Sequence, residues 1–532
     1  MAMRNIDRFL KATFYLLLTG LTYSTRAQTK VFKEVGDDIS SQMAPILQDG
    51  KLVGYLAFTT LEKASVDSLH YRLSIMDENL NDIGKVDFRQ ENLILKEVSF
   101  EGDILCLAYV KSNIVGKEFR NGRDFRRQTS DAKTILFTQF VSLSGQIIAT
   151  NNVKLDVKLE TELGANAPFG RAKLIGNGKL KQQIQLRNIS GKGFAIFYGD
   201  NNKNNLLVYN TKGVLVWQKQ VKEEANDFTM LTSGPEIDLL AKKDEEMKEG
   251  GYEILGYNTN DSTTYPKFIL KDQKGNSLKV LAYDNDPATG KPFVSGMIID
   301  PRHGNHFLTG NNLRHGPYDG VFTINFNGHS KKDIHSSFSY WADGSQTFVD
   351  NHGYFEDPHL YANVERSFKD FNGNTWFAAD GVKRRFRWGG LCWGTLLSPL
   401  ILPPFLYVGG GLHRYAFKDV LLIKQDPAGK ISLANDIPEK TGIYQFCSYP
   451  LFVVDPRSYY TVANPDTHSD YMIIDSDQKI DIYNVTQNKI ARSIPRKGGG
   501  TTINVLPAKE GYIMVSEYNK REKTTRLSIE AL

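Results

Sequence analysis

Residues 194–221 read FAIFYGDNNKNNLLVYNTKGVLVWQKQV, and this stretch contains the pattern that decides the fold. The apolar strand Phe194–Tyr198 is followed by a hairpin whose two arms meet at the turn Asn210-Thr-Lys-Gly213. Short runs of Val, Ile, Leu, Phe and Tyr bounded by Asn, Asp and Gly are typical of β-strands joined by tight turns. No sustained helical period follows the first 27 residues, so the sequence predicts an all-β protein.

The same pattern recurs along the chain. Seven hairpins lie at Leu73–Phe88, Ile135–Thr150, Leu206–Val221, Phe268–Tyr283, Val321–Phe338, Val420–Ile437 and Met472–Val485. Eight preceding hairpins turn near Gly50, Gly102, Gly191, Gly250, Gly304, Gly373, Arg457 and Gly511. Their second strands are predicted at Gly54–Thr59, Ile104–Val110, Phe194–Tyr198, Tyr252–Tyr257, His306–Thr309, Trp376–Ala379, Tyr459–Ala463 and Tyr512–Ser516. The repeat therefore predicts four-stranded units, with strands a to d, of which the last lacks one strand.

The missing strand has a donor near the N-terminus. Thr29–Val35 is strand-like and has no other partner in the pattern. Eight units, the last completed by this strand, describe a closed ring, a β-propeller, which leaves no long sheet edge exposed. Eight blades are preferred and seven are possible. Two separate β-sandwiches are the alternative, although no Pro/Gly/Ser-rich linker divides the chain.

Residues 28–532 are thus predicted to form a single propeller domain. With these hairpins the chain resembles the divergent β-propeller proteins that Bacteroidetes export. No WD dipeptide or kelch double glycine recurs, so the resemblance implies an architecture and carries over no functional residues.

Residues 1–27 predict a secretory signal peptide. Arg4, Arg8 and Lys11 precede a charge-free apolar run, Ala12–Tyr23, and the small residue Ala27 precedes Gln28. The run is too short for a membrane-spanning helix, although an uncleaved N-terminal anchor is an alternative. The mature protein is expected in the periplasm or outside the cell, without a transmembrane span.

The mature charge and the cysteines exclude two classes of protein. Cleavage would remove four basic residues and one acid, which lowers the net charge from +5 to +2. A nucleic-acid partner is not expected, because its binding needs clustered basic charge. Cys106, Cys392 and Cys447 allow at most one disulfide, so no disulfide framework holds the fold together, and Cys106 and Cys447 are expected to be buried in strands.

The long loops are the expected location of function. In a four-stranded meander the a–b and c–d turns lie on one face of the ring, and the b–c and d–a connections lie on the other. The predicted long b–c loops are Lys111–Lys133, Tyr257–Pro266, Thr309–Gly320, Asp380–Lys418 and Asn464–Asp470. Binding residues concentrate on long loops that a rigid scaffold holds.

Candidate ligand-binding residues on these loops combine arginine with aromatic, histidine and acidic side chains. They are Arg314, His315, Tyr318, Asp319, Arg384, Arg387, Trp388, Asp466 and His468. Arginine binds carboxylates and phosphates through two parallel hydrogen bonds, which favours an anionic or glycan-bearing ligand.

The histidines do not predict a metal site. Seven of the ten lie between His303 and His359. The repeat places His303 in an a–b turn and His329 in a c–d turn, whereas His315 belongs to a b–c loop on the opposite face, so one ion could not bind all three. A smaller site from His303, His306 and His329 is the alternative. No metal and no other cofactor is expected.

The segment Trp388–Leu412 is an apolar insertion without a single charge. Pro399, Pro403 and Pro404 exclude a spanning helix, so contact with a partner or a membrane surface is predicted. The stretch Asp370–Trp376 resembles the Asp-box turn of sialidase propellers, but it is interpreted as an ordinary hairpin turn.

The favoured function is an exported, non-enzymatic binding or assembly propeller, with a protein or glycan partner at the b–c loops. The alternative is a propeller hydrolase or lyase that acts on a polysaccharide. An enzyme would need carboxylates or histidines that converge in an accessible opening.

The signal peptide gives the first testable prediction. Protein purified from the exported fraction of expressing cells should begin at or near Gln28. Intact-mass measurement checks this, and exported material that retains Met1 would contradict it.

Overall fold

The computed structural model describes the strands of the ring and most of the short turns between them. It describes residues 28–33, 41–48, 51–63, 68–91, 93–112, 134–155, 184–200, 203–223, 225, 227–245, 248–299, 318–343, 348–351, 353–386, 413–438, 444–445, 457–464, 468–476, 478–496, 500–509 and 511–532. These residues form 34 β-strands and two single-turn 3₁₀ segments, Lys331–Asp333 and Trp341–Asp343, and they contain no α-helix.

The first half of the chain contains the single strand β1 (Gln28–Lys33), which belongs to the last blade, and then the strands of four blades. These are, in blade 1, β2 (Ser41–Gln48), β3 (Lys51–Lys63), β4 (Leu69–Asp77) and β5 (Asp82–Gln90); in blade 2 β6 (Leu93–Glu101), β7 (Ile104–Ser112), β8 (Thr134–Ser142) and β9 (Ile147–Leu155); in blade 3 β10 (Ile184–Ile189), β11 (Gly193–Asp200), β12 (Lys203–Asn210) and β13 (Leu215–Val221); and in blade 4 β14 (Asp227–Ser233), β15 (Glu236–Glu245), β16 (Lys248–Asn258) and β17 (Phe268–Leu270).

The second half forms the other four blades. They hold, in blade 5, β18 (Leu278–Asn285), β19 (Pro292–Ile299), β20 (Tyr318–Phe326) and β21 (Ile334–Tyr340); in blade 6 β22 (Tyr354–Phe355), β23 (Leu360–Lys369), β24 (Thr375–Phe386), β25 (His413–Gln425), β26 (Ile431–Ile437) and β27 (Tyr444–Gln445); in blade 7 β28 (Ser458–Asn464), β29 (Ser469–Asp475), β30 (Lys479–Asn484) and β31 (Lys489–Pro495); and in blade 8 β32 (Thr501–Pro507), β33 (Tyr512–Asn519) and β34 (Thr524–Ala531). In blade 6 strands a to d are β23 to β26, and the two-residue strands β22 and β27 are additions.

The two ends of the chain close the ring. β1 pairs antiparallel with β34 along its whole length, from Gln28 opposite Ile529 to Lys33 opposite Thr524. β1 is therefore the fourth strand of blade 8, whose order is β1-β34-β33-β32. The prediction of an all-β propeller with eight blades, closed by an N-terminal strand, is confirmed.

The apolar core is divided among the blade interfaces. Each of eight clusters of buried side chains belongs to two neighbouring blades, and together they link every blade to the next. The last cluster joins Met514 and Leu527 of blade 8 to Tyr55 and Leu80 of blade 1, and Phe32 packs against it. Because a sheet must bury its apolar faces against other elements, each blade depends on both of its neighbours.

Burial explains the sequence pattern of the strands. Central strands such as β12 are buried over most of their length, because a neighbouring blade covers each face of the sheet. The outermost strands β9 and β13 alternate half-buried with exposed residues instead. An alternating pattern is expected where one face of a strand meets solvent.

One turn geometry recurs in seven connections. In each, the first residue donates its backbone N–H to the carbonyl of the fifth, and the fourth donates to the carbonyl of the first. The turns begin at Asp77, Ser142, Asn210, Asp272, Asp350, Asp370 and Asp426. The fourth residue has a positive φ, which explains why six of the seven carry glycine there. Asp370–Trp376 contains this turn, so its interpretation as an ordinary hairpin turn is confirmed.

In blade 4 the predicted strands are shifted by one position in the sheet. Tyr252–Tyr257 lies in the third strand, β16, rather than in the second. The predicted hairpin Phe268–Tyr283 joins β17 of blade 4 to β18 of blade 5, so it connects two blades. Its turn begins at Asp272 and has the same hydrogen bonds as the turns within blades, which is why the sequence pattern did not distinguish the two cases.

Blades 5 and 7 also require a correction. The second strand of blade 5 is β19, and the strand predicted at His306–Thr309 lies outside the described residues. In blade 7, Tyr459–Ala463 lies in the first strand, β28, and the predicted hairpin Met472–Val485 covers β29 and β30. The predicted position of the second strand was therefore wrong in blade 5, and in blade 7 all three predicted strands lie one position earlier in the sheet than expected.

Cys106 is a free, fully buried cysteine of β7. Burial raises the pKa of its thiol well above the usual value. Its expected place in a buried strand is confirmed, while Cys392 and Cys447 lie outside the described residues.

The closing strand gives the second prediction. Deletion of residues 28–33 from the mature chain removes the ladder to β34 and the contact of Phe32, so the free energy of unfolding should fall by about 3 kcal/mol. Denaturant titration measures the loss. Val31→Ser, at an exposed position of the same strand, is the matched control and should change stability by less than about 0.5 kcal/mol. Equal stability of the deletion variant and the parent would show that β1 does not hold the ring closed.

Candidate functional site

The two faces of the ring differ in the length of their connections. The b–c connections 113–133, 300–317 and 387–412 and the d–a connections 156–183 and 438–457 all begin and end at the same face. The connections on the other face are short, with the c–d connection 259–267 of blade 4 among the longest. We call the first the loop face and the second the turn face.

The predicted b–c loops are correct in three blades and wrong in two. Tyr257–Pro266 is part of a c–d connection, and Asn464–Asp470 contains an a–b connection, so both lie on the turn face. The loop predicted at Asp380–Lys418 is shorter, because β24 and β25 remain paired as far as Phe386 opposite His413.

The candidate ligand-binding residues are divided between the two faces. Tyr318 and Asp319 begin β20 at the loop face, and Arg384 lies near the loop-face end of β24. His468 lies at the turn face, because the strand assignment in blade 7 shifts by one. The expectation that His468 lies on the same face as the others is therefore wrong. The remaining candidates lie outside the described residues; they are Arg314, His315, Arg387, Trp388 and Asp466.

The described candidates have structural contacts of their own. Tyr318 is buried, and its hydroxyl accepts a hydrogen bond from Lys279 Nζ at 2.7 Å. Trp341 Nε1 donates to the Tyr318 carbonyl at 2.9 Å. The exposed His468 ring lies 5.1 Å from that of Phe371. A ligand-binding role for the candidate residues stays a prediction.

The histidine assignment also changes. His303, His306 and His315 all belong to the connection between β19 and β20, which lies outside the described residues. His329 lies in the c–d connection of blade 5 at the turn face, as predicted. The alternative site from His303, His306 and His329 is no longer expected. The first two histidines belong to a b–c connection, which begins and ends at the loop face, whereas His329 lies at the turn face.

A cavity of about 200 Å³ lies at the turn face between blades 4 and 5. Its walls combine apolar and polar groups from both blades; the apolar residues include Ile254, Pro266, Phe268, Pro292, Phe326 and Ile334. Its polar groups include Glu236 and Asp238 of β15, Tyr283 of β18 and His329. We call these four side chains the acid–histidine cluster.

His329 is held by two contacts. Its ring stacks on that of Tyr265, with centroids 4.0 Å apart and planes inclined by 7°. Its Nε2 lies 2.9 Å from a carboxylate oxygen of Glu236. The hydrogen bond to Glu236 raises the pKa of His329, and partial burial opposes the shift.

Asp238 is the least solvated member of the cluster. It is 4% exposed, and its Oδ1 makes no hydrogen bond of good geometry; the same holds for the buried Tyr283 hydroxyl. Burial raises the pKa of Asp238 to about 7, while His329 opposes the shift and Glu236 adds to it. Burial likewise raises the pKa of Tyr283 well above its usual value.

Gly256 keeps room for this cluster. A Cβ at this position would lie 2.8 Å from His329 Cε1 and 3.0 Å from Asp238 Oδ1. A glycine inside a strand often marks the close approach of another group, and here that group is the histidine ring.

A second cavity, of about 340 Å³, lies between the same blades and reaches the first strands of the ring. Asp227, Asp284 and Arg366 line it. Burial raises the pKa of both acids. Arg366 and Arg187 oppose the shift at Asp284, and Lys242 opposes the shift at Asp227, so groups of both charges lie close together here.

Comparison with known proteins provides little beyond the fold. A model described as a family of unknown function, DUF6770, matches residues 9–120. No curated protein matches the chain. No characterised family matches.

Some solved structures are similar to this chain at very low identity. The C-terminal WD40 domain of Sif2 is 10% identical over 94% of this chain and 99% of that chain, with a TM-score of 0.41. The WD40 domain of SCAP from fission yeast is 9% identical over 95% of this chain and 98% of that chain, with a TM-score of 0.39. A quinohemoprotein alcohol dehydrogenase from Comamonas testosteroni is 10% identical over 93% of this chain and 76% of that chain, with a TM-score of 0.40.

Two kinds of feature are absent from the described residues. No helix in them is both long and apolar enough to cross a membrane. Among the same residues, no group of three or more His, Cys, Asp or Glu side chains is arranged to hold a metal ion.

The raised pKa of Asp238 gives the third prediction. An acid that keeps its proton in the folded state but loses it in the unfolded chain stabilises the fold at low pH. That contribution is lost as the pH rises from the usual value of 3.8 towards about 7. Asp238→Asn cannot ionise, so its melting temperature should rise relative to the parent between about pH 5 and about pH 8.

Scanning calorimetry at both pH values measures this difference. Asp87→Asn is the control, because the hydrogen bond from Arg72 lowers the pKa of Asp87. That carboxylate is ionised throughout the range, so its effect should not change with pH. A difference between Asp238→Asn and the parent that is constant with pH would contradict the prediction.

Proposed function

We propose that this protein is an exported binding propeller that engages a protein or glycan partner through its loop face. The fold by itself supports a binding or scaffold role in general terms, because a rigid ring can present several loops together. The observation that carries the proposal is that the six longest connections between the main strands of the blades all begin and end at one face; they are 113–133, 156–183, 300–317, 341–359, 387–412 and 438–457.

The composition of these connections supports the proposal. The segment 113–133 carries Lys117, Arg120, Arg123, Arg126 and Arg127. Arg384 lies near the loop-face end of β24, and Arg387 is the first residue of the connection in blade 6. Clustered arginines favour an anionic group on the partner, such as a carboxylate or an acidic sugar.

The apolar insertion 388–412 supplies a second kind of contact. β24 and β25 remain paired up to Phe386 opposite His413, so the insertion begins one residue beyond a complete hairpin. An apolar segment at this position offers a contact to a partner, a membrane surface or a second copy of the chain. The predicted signal peptide supports a location of this contact outside the cytoplasm.

The fourth prediction concerns this insertion. Replacement of residues 388–412 by a short Gly/Ser link should leave the fold intact, because loop entropy changes slowly with length and the flanking hairpin stays paired. The variant should lose the association that the parent shows in sedimentation velocity, in vesicle flotation or in cross-linking on intact cells. Thermal melting verifies the fold of both proteins.

The matched control carries the same Gly/Ser link inserted after Gln487, which is exposed in a turn at the turn face. It should keep the association of the parent. A 388–412 variant that associates as well as the parent would contradict the proposal, and one that unfolds would show that the insertion belongs to the core.

A further inference from the structure

The cavity between blades 4 and 5 has the properties of a ligand site, and it lies on the face opposite to the one in the proposed function. About 200 Å³ of space is many times what a single water needs. Its mouth lies between the a–b turn of blade 4, at Ser233–Glu236, and the c–d turn of blade 5, at Asn327–His329.

Asp238 and Tyr283, which both line this cavity, interact with each other. Asp238 Oδ1 and the Tyr283 hydroxyl are buried without a hydrogen bond of good geometry. A poorly aligned hydrogen bond is a weak compensation for burying a carboxylate, so a guest that brings N–H donors would gain from Asp238. The second carboxylate, on Glu236, adds negative charge to the same cavity.

The walls fit an organic guest. Phe268 and Phe326 meet edge to face with ring centroids 5.4 Å apart, and Pro266 and Pro292 complete this apolar region. Aromatic faces attract organic cations as well as alkyl groups. A strongly hydrated ion would lose its water against these walls without compensation.

The charges favour a cation over an anion. The basic groups at the cavity are His329, which is bonded to Glu236, and Lys291, which is exposed and donates to Asn327 Oδ1 at 3.1 Å. Both basic groups therefore already have partners, whereas Asp238 Oδ1 makes no hydrogen bond of good geometry.

We propose that the acid–histidine cluster and its apolar walls form a binding site for an alkylammonium or alkylguanidinium group. The charged end lies between Asp238 and Glu236, and the alkyl part lies against Phe268 and Phe326. This chemistry occurs in free amines and in the lysine or arginine side chains of another protein.

The site should respond to pH. The ionisable groups that face Asp238 are Glu236 on its own strand, His329 from the c–d turn of blade 5 and Tyr283 from β18, with Lys291 at the rim. Protonation of Asp238 or of His329 removes negative charge or adds positive charge, and both disfavour a cationic guest. Affinity should therefore increase from about pH 6 to about pH 8.

Isothermal titration calorimetry of the mature protein at about pH 8 tests the site with three probes of similar shape. n-Butylguanidinium and n-butylammonium carry the charge, and n-butylurea is the neutral control. The cations should bind at least about tenfold more tightly than the urea. Equal affinity of the urea and the cations, or no binding of either cation at millimolar concentration, would overturn the proposal.

Two variants locate the binding. Asp238→Asn removes the charge with little change in shape, and Gly256→Ala places a methyl group against His329 and Asp238. Each should weaken n-butylguanidinium by about tenfold or more. Asp470→Asn is the matched control, because Asp470 is equally buried, burial raises its pKa to about 7, and it lies between blades 6 and 7. Unchanged affinity in both cavity variants, with thermal melts that show folded protein, would place any binding elsewhere.

A fourth probe separates the two sources of the cation. The peptide acetyl-Gly-Arg-Gly-amide presents the same guanidinium with a backbone attached. Tighter binding of the peptide than of n-butylguanidinium would assign the site to an arginine of a partner protein, and weaker binding would assign it to a free cation. This result is independent of the 388–412 replacement, so the two proposals can fail separately.

Discussion

The pairing of β1 with β34 is the constraint on which the rest of the molecule depends. No blade is self-sufficient, because the apolar side chains of each sheet are shared with a neighbour on either side. In an open chain of eight blades, the first and the last would each expose one such face. The six residue pairs of β1 and β34 bring these two blades together and complete the eighth interface.

Polar groups between blades add specificity to this apolar contact. Thr323 Oγ1 donates to Gln425 Oε1 at 2.6 Å across the interface of blades 5 and 6, and Gln425 Nε2 donates to Ser339 Oγ at 2.7 Å. Arg457 and Asp380 form a fully buried ion pair between blades 6 and 7. Such buried groups fix how neighbouring sheets are placed, because any other placement would leave them without partners.

The sequence predicted the number of blades and the closing strand, since both depend on counting apolar strands. It failed where a turn between two blades looks like a turn within one. The turn that begins at Asp272 has the same hydrogen bonds as the turn that begins at Asn210, yet one joins two sheets and the other lies inside one. The strand β17 contributed to this error, because its three residues are too few to show an alternation of apolar and polar side chains.

The acid–histidine cluster was missed for a different reason. Asp238 and His329 are distant in sequence and meet only because blades 4 and 5 are neighbours. Two signals were nevertheless present. Asp238 is an acid within the otherwise apolar run Ile237–Ala241, and Gly256 interrupts an apolar strand. A buried charge and a missing side chain on paired strands, here Asp238 opposite Gly256, together indicate a group that enters from elsewhere.

Blade 8 is built from both ends of the described chain, and this has a consequence for how the chain could be rearranged. Gln28 lies opposite Ile529, which is three residues before the last described residue, Leu532. The two described ends of the chain are therefore close together at the turn face. Every other blade has a c–d turn at this position. A turn of the Asp-x-x-Gly type from Leu532 to Gln28 would therefore make the eight blades alike. The chain could then begin between blades 3 and 4, and a circularly permuted protein would form the same ring with each blade made from one continuous segment.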